Sequence, residues 1–238
     1  MAALGIVAAL TAEARALGAA RRRGASLSSL RDGALLAVTG MGCEAAAQGA
    51  RQLAAAGCRA LLSWGLAGAL DPALAPGAIL VPEEVVLQSS GRRLRASPGW
   101  RERVLCAIAA HRPLEHGVLL TSARPLAAAA DKATAFRESG AAAVDMESFA
   151  VAEVAHAHGL DFLAVRVIVD RATDEVPHAL EGVARPSGDL AIGRLLLRLL
   201  AEPSSLTKVA RLARCYRAAQ RSLRGVAASG ALLAFSSG

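Results

Sequence analysis

The chain has 238 residues, a length that suits one large α/β domain or one domain with a short appendage. It is 54% hydrophobic and 20% charged, yet no apolar run reaches the ~18 residues of a membrane-spanning helix, which argues against such a helix. The net charge of +7 is unevenly distributed, because six of the 27 basic residues and none of the 20 acidic residues follow residue 202. The preceding residues are therefore nearly neutral and lack the positive charge typical of a nucleic-acid-binding protein.

Short apolar runs alternate along the chain with alanine-rich segments that favour helices. The first run has no basic residues before it, so we interpret it as a strand and not as a signal peptide. The predicted strands are Leu4–Leu10, Ala34–Thr39, Ala60–Trp64, Ala78–Pro82, Gly117–Thr121 and Phe162–Asp170. The predicted helices are Cys43–Ala56, Arg101–His111, Ala127–Glu138, Ser148–His158 and Gly188–Leu200, and the predicted loops are Arg21–Asp32 and Ser89–Pro98.

The predicted strands are apolar on both faces, which is typical of interior strands covered by helices on both sides. The alternation of strands and helices predicts an α/β fold, a three-layer sandwich with a mixed, mostly parallel central sheet. We divide the chain into a catalytic body, residues 1–202, and a basic C-terminal helix and tail, residues 203–238. The four scattered cysteines favour reduced thiols, so we expect a cytoplasmic protein.

The last predicted strand carries two charged residues, Arg166 and Asp170. Side chains alternate along a strand, so these two fall on the same face. A guanidinium in an apolar strand needs a carboxylate partner, and an Asp at the carboxyl end of a buried strand lies where catalytic groups usually lie. A structural ion pair with a loop-capping Asp explains the pattern equally well.

Two further acids stand near predicted helix starts. Glu147, in the segment Val144–Ser148, is either a first-turn acid favoured by the helix dipole or a carboxylate that binds two sugar hydroxyls. Glu13, behind Thr11, is either a capping residue or a base that faces a cleft at the end of the first strand.

Two glycine-rich segments follow strands, Thr39–Gly42 and Gly65–Gly68, and we interpret both as turns that let a ligand approach the backbone. The first resembles a dinucleotide fingerprint, but the acid that should end the next strand is missing, which disfavours a nicotinamide enzyme. The five histidines have no metal-ligand spacing, so we expect neither a metal nor an organic cofactor.

Taken together and in this order, five segments resemble the nucleoside phosphorylase and nucleosidase superfamily. They are Gly5–Glu13, Thr39–Gly42, Gly65–Leu70 with Pro76 and Gly77 after it, Val144–Glu147 and Arg166–Asp170. The closest resemblance is to the hopanoid-associated phosphorylases, which also show the V-D-M-E-S segment and a basic C-terminal helix. This resemblance implies an enzyme that cleaves the N-glycosidic bond of a nucleoside and releases adenine from adenosylhopane, and it implies a homo-oligomer.

The resemblance also implies roles for individual residues. Asp170 is the general acid for N7 of adenine, and Glu13 positions or deprotonates an attacking water. Glu147 holds the ribose hydroxyls, and Arg166 pairs with a carboxylate such as Glu147. Further substrate contacts are expected from Met41, Met146, Ala67 and Gly68.

The attacking nucleophile stays open between water and inorganic phosphate, which would then be a co-substrate. Related phosphorylases carry an Arg where this chain has Ser63, and a phosphate without a nearby cation is poorly held, which favours water. Leu66 and Val169 also replace serines that relatives carry, so the contacts to the nucleophile and the base are expected to differ.

The tail from Leu206 to Leu223 has apolar residues at helical spacing with arginines mostly on the other side. Such a helix either lies on an anionic membrane surface or docks on the body with a solvated basic face. Two alternatives to a hopanoid enzyme remain: a nucleosidase for methylthioadenosine or adenosylhomocysteine, and a non-catalytic membrane-surface adaptor that kept the fold.

Overall fold

The computed structural model describes residues 4–19, 27–30, 33–111, 117–175 and 205–233. The strands are β1 (Leu4–Ala8), β2 (Ser28–Ser29), β3 (Leu35–Val38), β4 (Ala60–Ala69), β5 (Ile79–Leu80), β6 (Glu84–Leu87), β7 (Arg93–Arg95), β8 (Val118–Thr121), β9 (Ala143–Asp145) and β10 (Asp161–Asp170). The helices are α1 (Thr11–Ala16), α2 (Cys43–Ala55), α3 (Pro98–Ala107), α4 (Ala129–Ser139), α5 (Ser148–Ala157) and α6 (Ser205–Ala228), with 3-10 turns at Ala109–His111 and Ala231–Leu233.

A single mixed sheet runs through the described part of the chain in the order β2-β3-β1-β4-β9-β8-β6-β7, with β10 also pairing with β4, and β5 with β10. The longer strands pair in parallel, β4 with both β1 and β10. Antiparallel pairs join β4 to β9 and add the short strands β2, β5 and β7. Helices flank this sheet, which confirms the predicted α/β class with a mixed central sheet.

The apolar strands make the centre of the core. In β4 and β10 nearly every residue is buried, because helices and neighbouring strands cover them on all sides. α2 packs against α5, and α5 packs against β4 and β10. The end of α4 is set by Gly140, which adopts φ 65° in the left-handed region that glycine tolerates best.

Several predicted boundaries were wrong. The segment Gly65–Gly68 is not a turn, because it continues β4 to Ala69 between β10 and β9. The two predicted loops contain the short strands β2 and β7, and the helix after the second loop begins at Pro98. The predictions omitted α1, β6 and β9, each six residues long or shorter.

The C-terminal helix α6 packs on the body. Ala219, Leu223 and Val226 are fully buried, and the helix lies against β10 and α1. Ser222 donates a 2.8 Å hydrogen bond to the carbonyl of Gly77, which anchors the helix to the turn before β5. The predicted helix Gly188–Leu200 and the boundary at residue 202 lie outside the described residues, so the division into two parts stays a prediction.

Candidate active site

A cavity of about 240 Å³ opens where β1, β4, β9 and β10 end. Four carboxylate side chains line it together, those of Glu13, Asp145, Glu147 and Asp170. The carboxyl ends of β1, β4 and β10 meet here because these strands are parallel, and this edge is where ligands bind in such sheets. The other predicted contact residues, Met41, Met146, Ala67 and Gly68, line the same cavity.

Glu147 precedes α5 and is held by backbone amides. The amide of Gly42, at the start of α2, donates a 2.8 Å hydrogen bond to its Oε1, and the amide of Met146 lies 3.3 Å from its Oε2. Burial and the neighbouring Asp145 raise the pKa of Glu147 to about 7, although Arg166 acts in the opposite direction. Glu147 is therefore held in one position while it lines the cavity.

Arg166 is 1% exposed and lies within a network of buried polar side chains. Its Nη2 lies 2.7 Å from Oδ2 of Asp145 and 3.8 Å from Oε2 of Glu147. Its Nε donates a 2.9 Å hydrogen bond to the same Oδ2, and Ser63 and Ser148 accept hydrogen bonds from Nη2 at 2.8 Å and 3.1 Å. The close partner of Arg166 is thus Asp145, where the sequence pointed to a carboxylate such as Glu147.

Glu13 belongs to α1, yet its carboxylate binds two other parts of the backbone. The amide of Leu10 donates a 2.8 Å hydrogen bond to Oε2, and the amide of Leu66 donates a 2.9 Å hydrogen bond to Oε1. Burial raises the pKa of Glu13, against the opposing effects of Arg166 and these amides. Glu13 is therefore a buried carboxylate that two backbone amides hold at the edge of the cavity.

Gly65 permits this arrangement. A methyl group at this position would overlap both Arg166 Nη1 and the carboxylate of Glu13. The glycine that the sequence suggested for a turn therefore allows two side chains of the network to approach the backbone of β4.

Asp170 ends β10 after a bulge, because Ile168 and Asp170 pair with the consecutive residues Ala67 and Gly68. This bulge interrupts the strict alternation that placed Arg166 and Asp170 on one face. Asp170 forms a buried ion pair with Lys132 of α4. Burial raises the pKa of Asp170, and the Lys132 ammonium opposes this effect.

Sequence reasoning missed Asp145 and Lys132. Asp145 stood inside the quoted V-D-M-E segment, and its position at the end of an apolar stretch was an available signal. Lys132 gave no signal, because a lysine in a polar helix is ordinarily solvated, whereas here it is 1% exposed. Only the tertiary structure brings α4 against the end of β10.

The first glycine-rich segment, Thr39–Gly42, binds the side chain of Glu147. The Gly42 amide, which would contact a pyrophosphate in a dinucleotide site, donates to Glu147. In the described part of the chain, no group of three or more His, Cys, Asp or Glu side chains is arranged to bind a metal ion. None of the described helices is long and apolar enough to cross a membrane.

The fold places a cluster of buried carboxylates at the strand ends, where α/β enzymes place their catalytic groups. A family model described as the phosphorylase superfamily matches residues 25–201, well over half of the chain, and the chain belongs to this superfamily. The predicted superfamily and the predicted class of enzyme, one that cleaves a glycosidic bond, are confirmed. Comparison with curated protein sequences finds no match.

Solved structures with the same fold include nucleosidases. A 5′-methylthioadenosine/S-adenosylhomocysteine nucleosidase from Helicobacter pylori, crystallised with butyl-thio-DADMe-Immucillin-A, is 16% identical with a TM-score of 0.67, over 95% of this chain and 97% of that one. Futalosine hydrolase from Helicobacter pylori is 16% identical with a TM-score of 0.66, over 94% and 96%. The Campylobacter jejuni methylthioadenosine/adenosylhomocysteine nucleosidase is 15% identical with a TM-score of 0.68, over 97% and 99%. At these identities the likeness concerns the fold.

Proposed function

We propose that this enzyme hydrolyses the N-glycosidic bond of an adenine nucleoside whose 5′ substituent is apolar, with adenosylhopane as the substrate. The observation that carries the proposal is the joint position of Asp170, Glu147 and Glu13 around one cavity, each with a pKa raised by burial. Cleavage of a glycosidic bond requires a proton donor for the leaving group and a carboxylate on the side of the nucleophile.

Each carboxylate has a separate role. Asp170 donates a proton to N7 of adenine, which lets the base leave as a neutral molecule. Glu147 accepts hydrogen bonds from the ribose hydroxyls, and Met41 and Met146 pack against the sugar. Glu13 accepts a proton from the water that attacks C1′ of the ribose.

Two occupied amides favour water over phosphate as the nucleophile. Backbone amides of Gly42 and Leu66 point at the site, and amides of this kind hold phosphate in many proteins. Here they donate to Glu147 and Glu13, so a phosphate anion would meet two carboxylates at these positions. Ser63, which replaces the arginine of related phosphorylases, is buried and hydrogen-bonded to Arg166. The lining also includes Arg124 at its exposed rim, so phosphate dependence must be measured directly.

The apolar rim supports a lipid-linked nucleoside. Met41 lines the cavity with 46% of its surface exposed, and the apolar side chains of Leu66, Leu126 and Val169 continue the lining. An apolar 5′ substituent would cover this surface. Nucleosides with a smaller 5′ substituent, such as methylthioadenosine, are the alternative within the same superfamily.

We further propose that α6 brings the enzyme to an anionic membrane through charge alone. Ala219, Leu223 and Val226 are buried on the body, so these three residues cannot enter a bilayer, whereas Arg214, Arg217, Arg221 and Arg224 are exposed. Each arginine near an anionic surface contributes about 1 kcal/mol of attraction. The double variant Arg217→Glu/Arg221→Glu should lose sedimentation with phosphatidylserine vesicles, whereas Arg137→Glu on α4 should keep it. Equal sedimentation of all three proteins would contradict this contact.

The function is tested with purified protein and three nucleosides: adenosine, methylthioadenosine and adenosylhopane, each with and without inorganic phosphate. We expect adenine release to be fastest with adenosylhopane and independent of phosphate. The other product should carry a ribose with a free hydroxyl group at C1′. Phosphate dependence with a ribose 1-phosphate product would overturn hydrolysis, and preference for methylthioadenosine would overturn the lipid substrate. No release from any nucleoside would favour the adaptor alternative.

Asp170→Asn supplies the matched control for this assay. The amide has the size of the carboxyl group but donates no proton to N7, so turnover should fall by about 10²-fold or more. Near-normal turnover in a folded Asp170→Asn variant would show that another group protonates the base.

A further inference from the structure

Lys132 is a buried cation with a carboxylate and two carbonyl groups around it. Its Nζ donates to Oδ2 of Asp170, and to the carbonyl oxygens of Arg171 and Asp174 at 3.0 Å each. An ammonium group has three hydrogens, and these three acceptors use all of them. Lys132 therefore connects α4 to the end of β10 and to the turn that follows it.

We propose that Lys132 is the positioning residue of the general acid: it orients Asp170 toward the cavity and stabilises the carboxylate that remains once the proton has moved to adenine. This role rests on the proposed function, in which Asp170 protonates the base. No bond to Lys132 forms or breaks in the reaction.

The proton balance of the reaction gives Lys132 this role. The O–H bond of protonated Asp170 breaks and an N7–H bond forms, while the C1′–N9 bond breaks and its electron pair stays on adenine. A new C1′–O bond forms to water, whose proton passes to Glu13, and solvent then returns a proton from Glu13 to Asp170. At the moment of cleavage Asp170 becomes an anion inside the protein, and such an anion is costly without a partner.

Burial and Lys132 act on Asp170 in opposite directions. Burial alone would keep the carboxyl group protonated and make it a weak acid, whereas the ammonium favours the anion. The balance between burial and the ammonium sets how readily Asp170 gives its proton to the base.

The other charged groups near this pair are known. Asp174 accepts a hydrogen bond from the amide of Arg171 and forms an ion pair with Arg211 of α6, so its charge is compensated. Across the cavity lie Arg124 at the rim and the carboxylates of Glu147 and Glu13. Lys132 is the cation whose contact with Asp170 is direct.

A merely structural role for Lys132 predicts a different result. If Lys132 only fastened the turn Arg171–Asp174, a neutral replacement would lower the rate by misplacing Asp170 and would leave the alkaline limb of kcat/KM where it is in the wild-type enzyme. Lys132→Gln keeps an N–H donor without the charge, and Lys132→Met removes both. Lys132→Arg keeps the charge, and Arg137→Met removes an exposed charge from the same helix.

The first measurement does not need turnover. Protein labelled with ¹³C at the aspartate carboxyl carbons is titrated by NMR, with the Asp170 signal assigned from Asp170→Asn. We expect the apparent pKa of Asp170 to rise by about one unit or more in Lys132→Gln, as removal of an adjacent opposite charge predicts. It should stay near the wild-type value in Lys132→Arg and Arg137→Met. An unchanged value in Lys132→Gln would overturn the proposal, and Lys132→Met repeats the test if the first variant does not fold.

The second measurement follows adenine release against pH. In Lys132→Gln we expect the maximum of kcat to fall by about 10²-fold. The alkaline limb of kcat/KM should move to higher pH, because Asp170 stays protonated longer. A fall in rate with an unmoved alkaline limb would assign Lys132 a structural role only. Absence of turnover in the wild-type enzyme would contradict the proposed function, while the NMR titration would still decide the interaction between Lys132 and Asp170.

Discussion

Arg166 and Asp145 form a close ion pair in the site, with Nη2 and Oδ2 2.7 Å apart and both side chains 1% exposed. Asp145 also accepts hydrogen bonds from the hydroxyl of Thr121 and the amide of Ser148. Asp145 neutralises the guanidinium of Arg166 inside the protein. Glu147 lies 3.8 Å from Arg166, so its carboxylate is not needed to compensate this charge.

Asp145→Asn should therefore lower the free energy of unfolding of the enzyme. Removing one partner of a buried ion pair leaves an uncompensated charge and costs about 3–5 kcal/mol. Urea unfolding of the variant measures the loss, and Asp131→Asn, at an exposed position in α4, should cost under about 1 kcal/mol. Equal unfolding midpoints for the two variants would show that Glu147 compensates Arg166 in place of Asp145.

Glu147 should make the stability of the enzyme depend on pH. Its pKa is about 7 in the folded protein against an ordinary value of 4.5, so between these values the folded protein holds a proton that the unfolded chain has lost. Stability from this group is complete below pH 4.5 and is lost as the pH rises through 7, by on the order of 3 kcal/mol. Glu147→Gln does not titrate, so the variant should become the more stable protein at pH 8 but not at pH 4.5.

Urea unfolding at several pH values measures this difference. Glu153→Gln serves as the control, because Glu153 is half exposed and paired on the surface with Arg92. Parallel stability curves for wild type and Glu147→Gln would contradict the raised pKa of Glu147.

The carboxylates of the site could be predicted from the sequence, whereas the cation that pairs with Asp170 could not. Glu13 follows β1 and Asp170 ends β10, and because these strands run parallel and end at one edge of the sheet, their shared cavity could be predicted from local pattern. Glu147 follows β9, which runs antiparallel to β4 and was not predicted, so its place in the cavity did not follow from that rule. Lys132 lies 38 residues before Asp170, and no local pattern distinguishes it from a surface lysine. The pairing of α4 with β10 depends on the whole sheet, as does the bulge at Val169 that turns Asp170.

Local sequence pattern also failed to give the bounds of several strands. β4 was predicted to stop at Trp64 because two glycines follow, and glycine usually weakens a strand. The glycine at position 65 is required by close side chains and not by a turn. Short strands such as β7 depend on a neighbour for their structure, so their own residues carry little signal.

Gly65→Ala should disturb the site without removing any charged group. The added methyl group would overlap Arg166 and Glu13, and backbone and side chains would have to move, at a cost of about 1–3 kcal/mol. We expect at least about a tenfold loss of kcat/KM, because misplacement of catalytic groups by 1 Å can cost about 10²-fold. Thermal unfolding and adenine release measure both effects.

Gly99→Ala is the control for this substitution. Gly99 lies in the first turn of α3, where an added methyl group approaches only the end of the Arg103 side chain, at 3.3 Å. Alanine favours a helix over glycine by about 0.5–1 kcal/mol, so this variant should be at least as stable as wild type. Full activity in Gly65→Ala would show that Glu13 does not need its observed position.

Leu223 should anchor α6 as part of the folded body. Its side chain is 0% exposed on the face of the helix that packs toward β10, the strand that carries Asp170. Leu223→Ala removes this packing and should cost about 2–5 kcal/mol, whereas Arg221→Ala, two residues earlier and exposed, should change stability by less than about 0.5 kcal/mol. Thermal unfolding of the two variants tests the difference. If Leu223→Ala melts with the wild-type protein, α6 is not bound to the body in solution, and its apolar face would again be available to a membrane.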